Sequence, residues 1–135
     1  MTDTTPTNQQ QLGEWVRQQF QRANKHLAEN GVLFDSVKTE ESRYLAPYVA
    51  VWKIVAQDKK PYWVISGDVP VDYTLGANAP SAREALRHFS LNWQLQAENI
   101  FSTGTQDKTQ VDFANLLVHR ANHLYTIFED NTFWS

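Results

Sequence analysis

Apolar residues follow two different periods along this 135-residue chain, and the switches between them divide it into elements. Leu12, Trp15, Val16, Phe20, Ala23 and Leu27 recur every three to four residues, the spacing of one face of an α-helix. Thr7 with Gln10 makes a capping-box pattern ahead of that stripe, and Asn30-Gly31 ends it with a residue suited to a left-handed C-terminal turn. From Tyr48 the period becomes two. Tyr48, Ala50, Trp52, Ile54 and Ala56 point one way, while Val49, Val51, Lys53, Val55 and Gln57 point the other. Both rows are mostly apolar, so both faces of this strand are expected to be covered. Asp58-Lys-Lys60 makes a turn, and Pro61 suits the first position of a second strand, where a missing N–H is tolerated. Tyr62, Val64 and Ser66 then oppose Trp63, Ile65 and Gly67. A hairpin alone is marginal, so a third strand is expected from residues 36–45 or 69–74.

Residues 67–80 carry Pro70, Gly76 and Pro80 as loop punctuation before the helical period returns. Ser81 with Glu84 is a second capping box, followed by the stripe Ala82, Leu86, Phe89, Trp93, Ala97 and Ile100. Leu91 and Leu95 fall on another side, which predicts a helix touching two neighbours. Ser102-Thr-Gly-Thr105 interrupts the pattern, and Asp107 with Gln110 caps a third helix with the stripe Phe113, Leu117, Ala121, Leu124 and Phe128. So short a break predicts an antiparallel helix pair. The elements together predict an α+β fold in the order α-(β)-β-β-α-α, a small antiparallel sheet of two to three strands packed by three helices. Residues 12–135 are expected to form one domain behind a disordered tail at 1–11.

Composition narrows the function classes. A net charge of −3 speaks against a surface built for nucleic-acid phosphates, and Arg17, Arg22 and Lys25 share their helix with Glu14 and Glu29. With no cysteine, disulfides and thiolate metal sites are excluded. The polar opening residues predict no signal peptide, and no apolar run reaches the length of a membrane span. A cytoplasmic protein without a membrane or nucleic-acid partner is expected. Five Trp, five Tyr and seven Phe fall mainly on the inner faces of the elements just described, which assigns most of them to the core.

Candidate chemistry is sparse. His119 and His123, four residues apart on one helix, have the spacing of two metal ligands, and Glu84 with His88 repeats it on the preceding helix. Antiparallel pairing could bring these four together, but packing histidines are the expected outcome and no metal or cofactor is predicted. Arg83 and Arg87 stack one turn apart, as an arginine fork for a carboxylate or phosphate or as a solvated face paired with Glu84, Asp68 or Asp72. Asp68 and Asp72 are too far apart along extended chain for a glycosidase pair, and Ser66-Gly67-Asp68 lacks the glycines of a nucleophile elbow. No catalytic set is predicted. The terminal Phe133-Trp134 either folds back on the core or docks on a dimer mate.

Three strings, Glu41-Ser-Arg-Tyr-Leu-Ala-Pro-Tyr-Val-Ala-Val-Trp-Lys53, Tyr62-Trp-Val-Ile-Ser-Gly-Asp-Val-Pro70 and Ala82-Arg-Glu-Ala-Leu-Arg-His-Phe-Ser-Leu-Asn-Trp93, carry a resemblance. The chain resembles a group of small bacterial cytoplasmic proteins classed as a domain of unknown function, over residues 15–125. That resemblance implies a bacterial source and a compact domain, and it implies no activity or site. The expected function is therefore a non-enzymatic binding or interaction protein, its partner an unidentified protein or a small anionic ligand. The expected binding face combines Asp68, Asp72, Arg83, Arg87 and His88. The alternatives are a metal-assisted hydrolase built on Glu84, His88, His119 and His123, and a homodimer held by the Phe133-Trp134 tail.

Overall fold

The computed structural model describes residues 9–134, so the Thr7 cap and residues 1–8 of the tail expected at 1–11 lie outside the described residues, while Gln9–Gln11, expected in that tail, already belong to the first helix. The chain forms α1 (Gln9–Glu29), β1 (Phe34–Val37), β2 (Arg43–Leu45), β3 (Val49–Ala56), β4 (Pro61–Gly67), β5 (Asp72–Leu75), α2 (Ala82–Ser102) and α3 (Lys108–Glu129). Short 3₁₀ turns follow at Gly76–Asn78 and Asn131–Phe133. These elements fall into two compact units that divide after Ala82, where α2 begins. None of the helices among the described residues is long and apolar enough to cross a membrane.

The α+β class holds, but the sheet has five antiparallel strands, more than the two or three expected. Its order is β1-β3-β4-β5, and β2 also pairs with β3. Both segments considered for a third strand contribute. Residues 34–45 supply two strands, β1 against Ile54–Ala56 and β2 against Val49–Val51, while β5 pairs Leu75 with Tyr62 through Asp72 with Ile65. Strands of three or four residues hold too few alternations to be told from loop by period alone. Ser42 explains the split of the first segment. Its hydroxyl donates to Lys38 O at 2.9 Å and accepts from Lys53 N at 3.0 Å, which closes a turn between β1 and β2 against β3.

The long hairpin matches its sequence pattern. Asp58 Oδ1 accepts from Lys60 N at 3.0 Å, and β3 pairs with β4 from Val49–Gly67 to Val55–Pro61. Ala50, Trp52, Ile54 and Ala56 form one core row with Tyr62, Val64 and the Ala23 and Leu27 face of α1. Phe20 lies edge-on to Trp52 (5.2 Å between centroids) and to Phe34 (5.4 Å), the offset geometry that aromatic quadrupoles favour. The other row is also buried, with Val49, Val51, Trp63 and Ile65 fully inaccessible, as two apolar rows require. Lys53 belongs to that row. Its ammonium stands 4.3 Å from the Trp63 ring centroid and 3.7 Å from Glu41, so a largely covered cation keeps both an aromatic and a carboxylate partner.

A polar seam ties α1 to the end of β4. Ser66 Oγ donates to Gln19 O at 3.1 Å and accepts from the Trp52 indole N–H at 3.1 Å. Arg22 donates to Gly67 O at 2.7 Å and to Gln19 Oε1 at 2.9 Å. Gly67 itself, at φ 123°, lies against β3 so closely that a Cβ would sit 2.5 Å from Tyr48 O. Among the described residues no buried side-chain nitrogen or oxygen lacks a partner.

In the second unit α2 and α3 run antiparallel, as their short connection predicts. Arg83 bonds to Phe128 O and, further along α2, Ser90 Oγ donates to Ala121 O at 2.7 Å, so the contacts advance in opposite directions. Asp107 caps α3 through Gln110 N at 3.2 Å. Leu86, Phe89, Trp93 and Ala97 are buried on α2, and Leu117, Ala121 and Leu124 on α3. Two expectations fail here. Leu91 and Leu95 are left 46% and 56% exposed rather than buried on a second neighbour among the described residues, and Phe113 is 44% exposed at the start of α3.

Candidate functional site

The α2–α3 connection builds an open, largely apolar groove in the second unit. α2 stops because Thr103 Oγ1 donates back to Ile100 O at 2.6 Å and Gly104 takes a φ of 69°. Thr105 Oγ1 then accepts from Asp107 N at 3.2 Å, so the link is held by its own side chains and carries α3 straight back. Each apolar stripe runs one turn past its buried part before the helix ends. The result is a groove of about 550 Å³ lined by Asn99, Ile100, Thr103, Thr109, Gln110 and Phe113. Two apolar and four uncharged polar side chains line it, and none of the six is titratable. Its volume falls within the range of ligand and side-chain pockets.

The residues singled out from sequence lie elsewhere. Asp68 and Asp72 belong to the first unit. Asp68 N donates to Tyr48 O at 2.8 Å, and Asp72 Oδ1 accepts from Tyr73 N at 2.8 Å on β5. Arg83, Arg87 and His88 belong to the second unit, where the two guanidiniums have different partners. Arg83 donates to Phe128 O at 2.9 Å and to Asn131 Oδ1 at 2.8 Å, with its head over the Phe128 and Trp134 rings. Arg87 stands 3.9 Å from Glu84, both side chains about half exposed. His88 lies edge-on to Phe89 at 5.9 Å.

The terminal aromatic segment folds back in cis. Trp134 donates its indole N–H to Ile127 O at 3.0 Å, and Arg83 anchors the same segment from α2. Asp130 starts the turn beneath it, accepting from Thr132 N and Thr132 Oγ1, and these hydrogen bonds hold its carboxyl below the usual carboxylate range. In the first unit burial pushes the Tyr44 hydroxyl up, beside Trp52 at 4.9 Å. Among the described residues no three His, Asp or Glu side chains come together as metal ligands, and Glu84, His88, His119 and His123 form no such group.

A family profile described as "Domain of unknown function (DUF4826)" matches residues 8–134. The chain belongs to this family. Membership in DUF4826 agrees with the resemblance carried by the three strings and assigns no activity. No curated protein and no solved structure matches the chain significantly.

Sequence reasoning missed this groove in the DUF4826 chain for a simple reason. Ile100 and Phe113 sit in register with the buried stripes, and periodicity alone cannot say where a stripe outruns its cover. The short Ser102–Thr105 break was the available signal, because an abrupt reversal leaves the last turns of both helices without a neighbour at the tip.

Proposed function

We propose that the protein is a non-catalytic binding module that captures an aromatic or aliphatic side chain of a protein partner in the groove between the ends of α2 and α3. The observation that carries this reading is the groove's lining. Ile100 and Phe113 supply apolar contact, while Asn99, Thr103, Thr109 and Gln110 offer amide and hydroxyl groups around it. A buried apolar anchor ringed by neutral hydrogen-bonding groups is the arrangement of a protein-interaction hot spot. With no acid or base in the lining to activate the Thr103 or Thr109 hydroxyl, the groove is equipped to hold a group rather than to transform one.

The test uses indole and benzamide as probes of an aromatic anchor and of its polar rim. Titrated into the isotope-labelled protein, they are expected to shift the backbone amides of residues 99–113 saturably. Phe113→Asp should abolish those shifts while leaving the remaining spectrum folded. Saturation elsewhere, or the same response in Phe113→Asp, sinks the assignment. We extend the reading to a bacterial cytoplasmic protein, the source following the resemblance carried by the three strings and the compartment supported by the absence of cysteine. Recovery of the native protein from a membrane or periplasmic fraction would end that extension.

A further inference from the structure

The outward face of α2 carries a second feature that the groove does not use. Arg87, Leu91, Leu95 and Glu98 follow one another at intervals of four, four and three residues, so they form a single stripe on the side opposite Leu86, Phe89 and Trp93. Both leucines are about half exposed, and Arg87 and Glu98 are exposed at either end. The stripe therefore reads cation, leucine, leucine, anion.

That order is self-complementary in one orientation only. A two-fold axis through the midpoint of Leu91 and Leu95 sets Leu91 of one copy against Leu95 of the other. Arg87 lies six residues before this midpoint and Glu98 five after it, about 9 Å and about 7.5 Å at 1.5 Å per residue. Each Arg87 then reaches the Glu98 of the opposite copy, twice per pair, and His88 stands level with that same carboxylate. A parallel arrangement would instead set Arg87 against Arg87 and Glu98 against Glu98, which like-charge repulsion disfavours. Isologous two-fold contact is the commonest way for a chain to bind itself.

We infer that a second copy of this chain packs antiparallel on the Arg87–Glu98 face of α2, forming a homodimer through Leu91 and Leu95. The contact adds helix to helix across the exposed leucines and leaves the Arg83 anchor of the C-terminal segment in place. It is independent of the groove reading, since neither leucine lines the groove.

Sedimentation equilibrium on the full chain, from about 1 μM to about 1 mM, spans the range in which a modest interface associates. The protein is expected to dimerise in that window. Leu91→Glu and Leu95→Glu should each raise the dimer dissociation constant at least ~100-fold, because every substitution occurs twice in a two-fold interface. Circular dichroism checks that both variants stay folded. The decisive measurement needs no leucine variant. Arg87→Glu and Glu98→Arg should each dimerise less well than wild type, yet an equal mixture of the two should form heterodimers, because both cross-copy pairs are then opposite in charge. A chain that stays monomeric at the highest concentration overturns the inference. So does a dimer indifferent to both leucines, or a mixture that associates no better than its components.

Discussion

The two units solve the same packing problem with opposite surfaces. In the first, polar side chains are turned inward and used up, with Ser66 joining Trp52 to α1, Ser42 closing the β1–β2 turn, and Arg22 donating to both Gln19 Oε1 and Gly67 O. In the second, exposed apolar side chains are gathered along the two helices, with Leu91, Leu95, Phe113 and Leu116 all more than a third exposed, whereas those of the first, such as Leu33 and Leu75, flank its short strands. A sheet whose two strand faces are both buried has to satisfy polar groups internally, because water cannot reach them. A pair of helices closes most of its backbone bonds within each helix and needs polar partners mainly at the helix ends, as Asp107 supplies for α3. Surface is thus free for recognition mainly where backbone hydrogen bonding is already complete.

The largest expected effect that could break this contrast lies at Gly67. Its φ of 123° and the approach of Tyr48 O leave no room for a side chain, so Gly67→Ala should cost on the order of 3–5 kcal/mol. Gly104 also has a positive φ, of 69°, but nothing lies within 4 Å of its Cβ position. Gly104→Ala should therefore cost only about 1 kcal/mol. Urea unfolding of the two variants makes the comparison, and equal losses would mean that the first unit is no more tightly determined than the second.

A smaller difference is expected between two buried serines. Ser66→Ala removes the acceptor of the buried Trp52 indole N–H, and an orphaned buried donor costs ~1–3 kcal/mol. Ser90→Ala removes a hydroxyl that donates to Ala121 O, a carbonyl inside α3, and should cost about 1 kcal/mol or less. Matched thermal melts report both, and a larger loss at Ser90 would reverse the contrast.

The smallest effect depends on pH and is confined to the second unit. Hydrogen bonds from Thr132 lower the Asp130 carboxyl in the folded state, so their contribution is present above the ordinary Asp value and is lost as pH falls through the lowered one. On acidification below about pH 4, the Trp134 indole N–H resonance should move while the Trp52 and Trp63 resonances hold still. Asp130→Asn should remove that step. Coincident shifts in all three indoles would show that the change is global and not local to the C-terminal turn.

Much of the fold was legible because long elements repeat their signal. Asp107 and Gln110 announced α3, Pro61 marked the start of β4, and the alternating rows of β3 fall on the faces their period assigns. The short strands were legible only as alternatives for one third strand, since three or four residues offer at most two alternations and their existence depends on the partner strand. Among the site residues, the types at Arg83 and Arg87 were evident but their partners were not. Arg83 meets Asn131, 48 positions away, through a fold-back that no local pattern encodes. The outward leucines of α2 were visible in sequence as a second stripe. Sequence could show Leu91 and Leu95 as a second apolar stripe, but not that both would be left about half exposed.

Asp72, on the outermost strand of the sheet, has a consequence for colloidal behaviour. An edge strand offers unpaired amide groups to any passing chain, and that invitation is a common start of fibrils. At Tyr73 the amide is already engaged by the Asp72 carboxylate, and the same residue sets a negative charge on the rim. One amide on this edge is thus withheld from strand pairing, and a carboxylate stands beside it, the two devices by which edge strands resist lateral pairing.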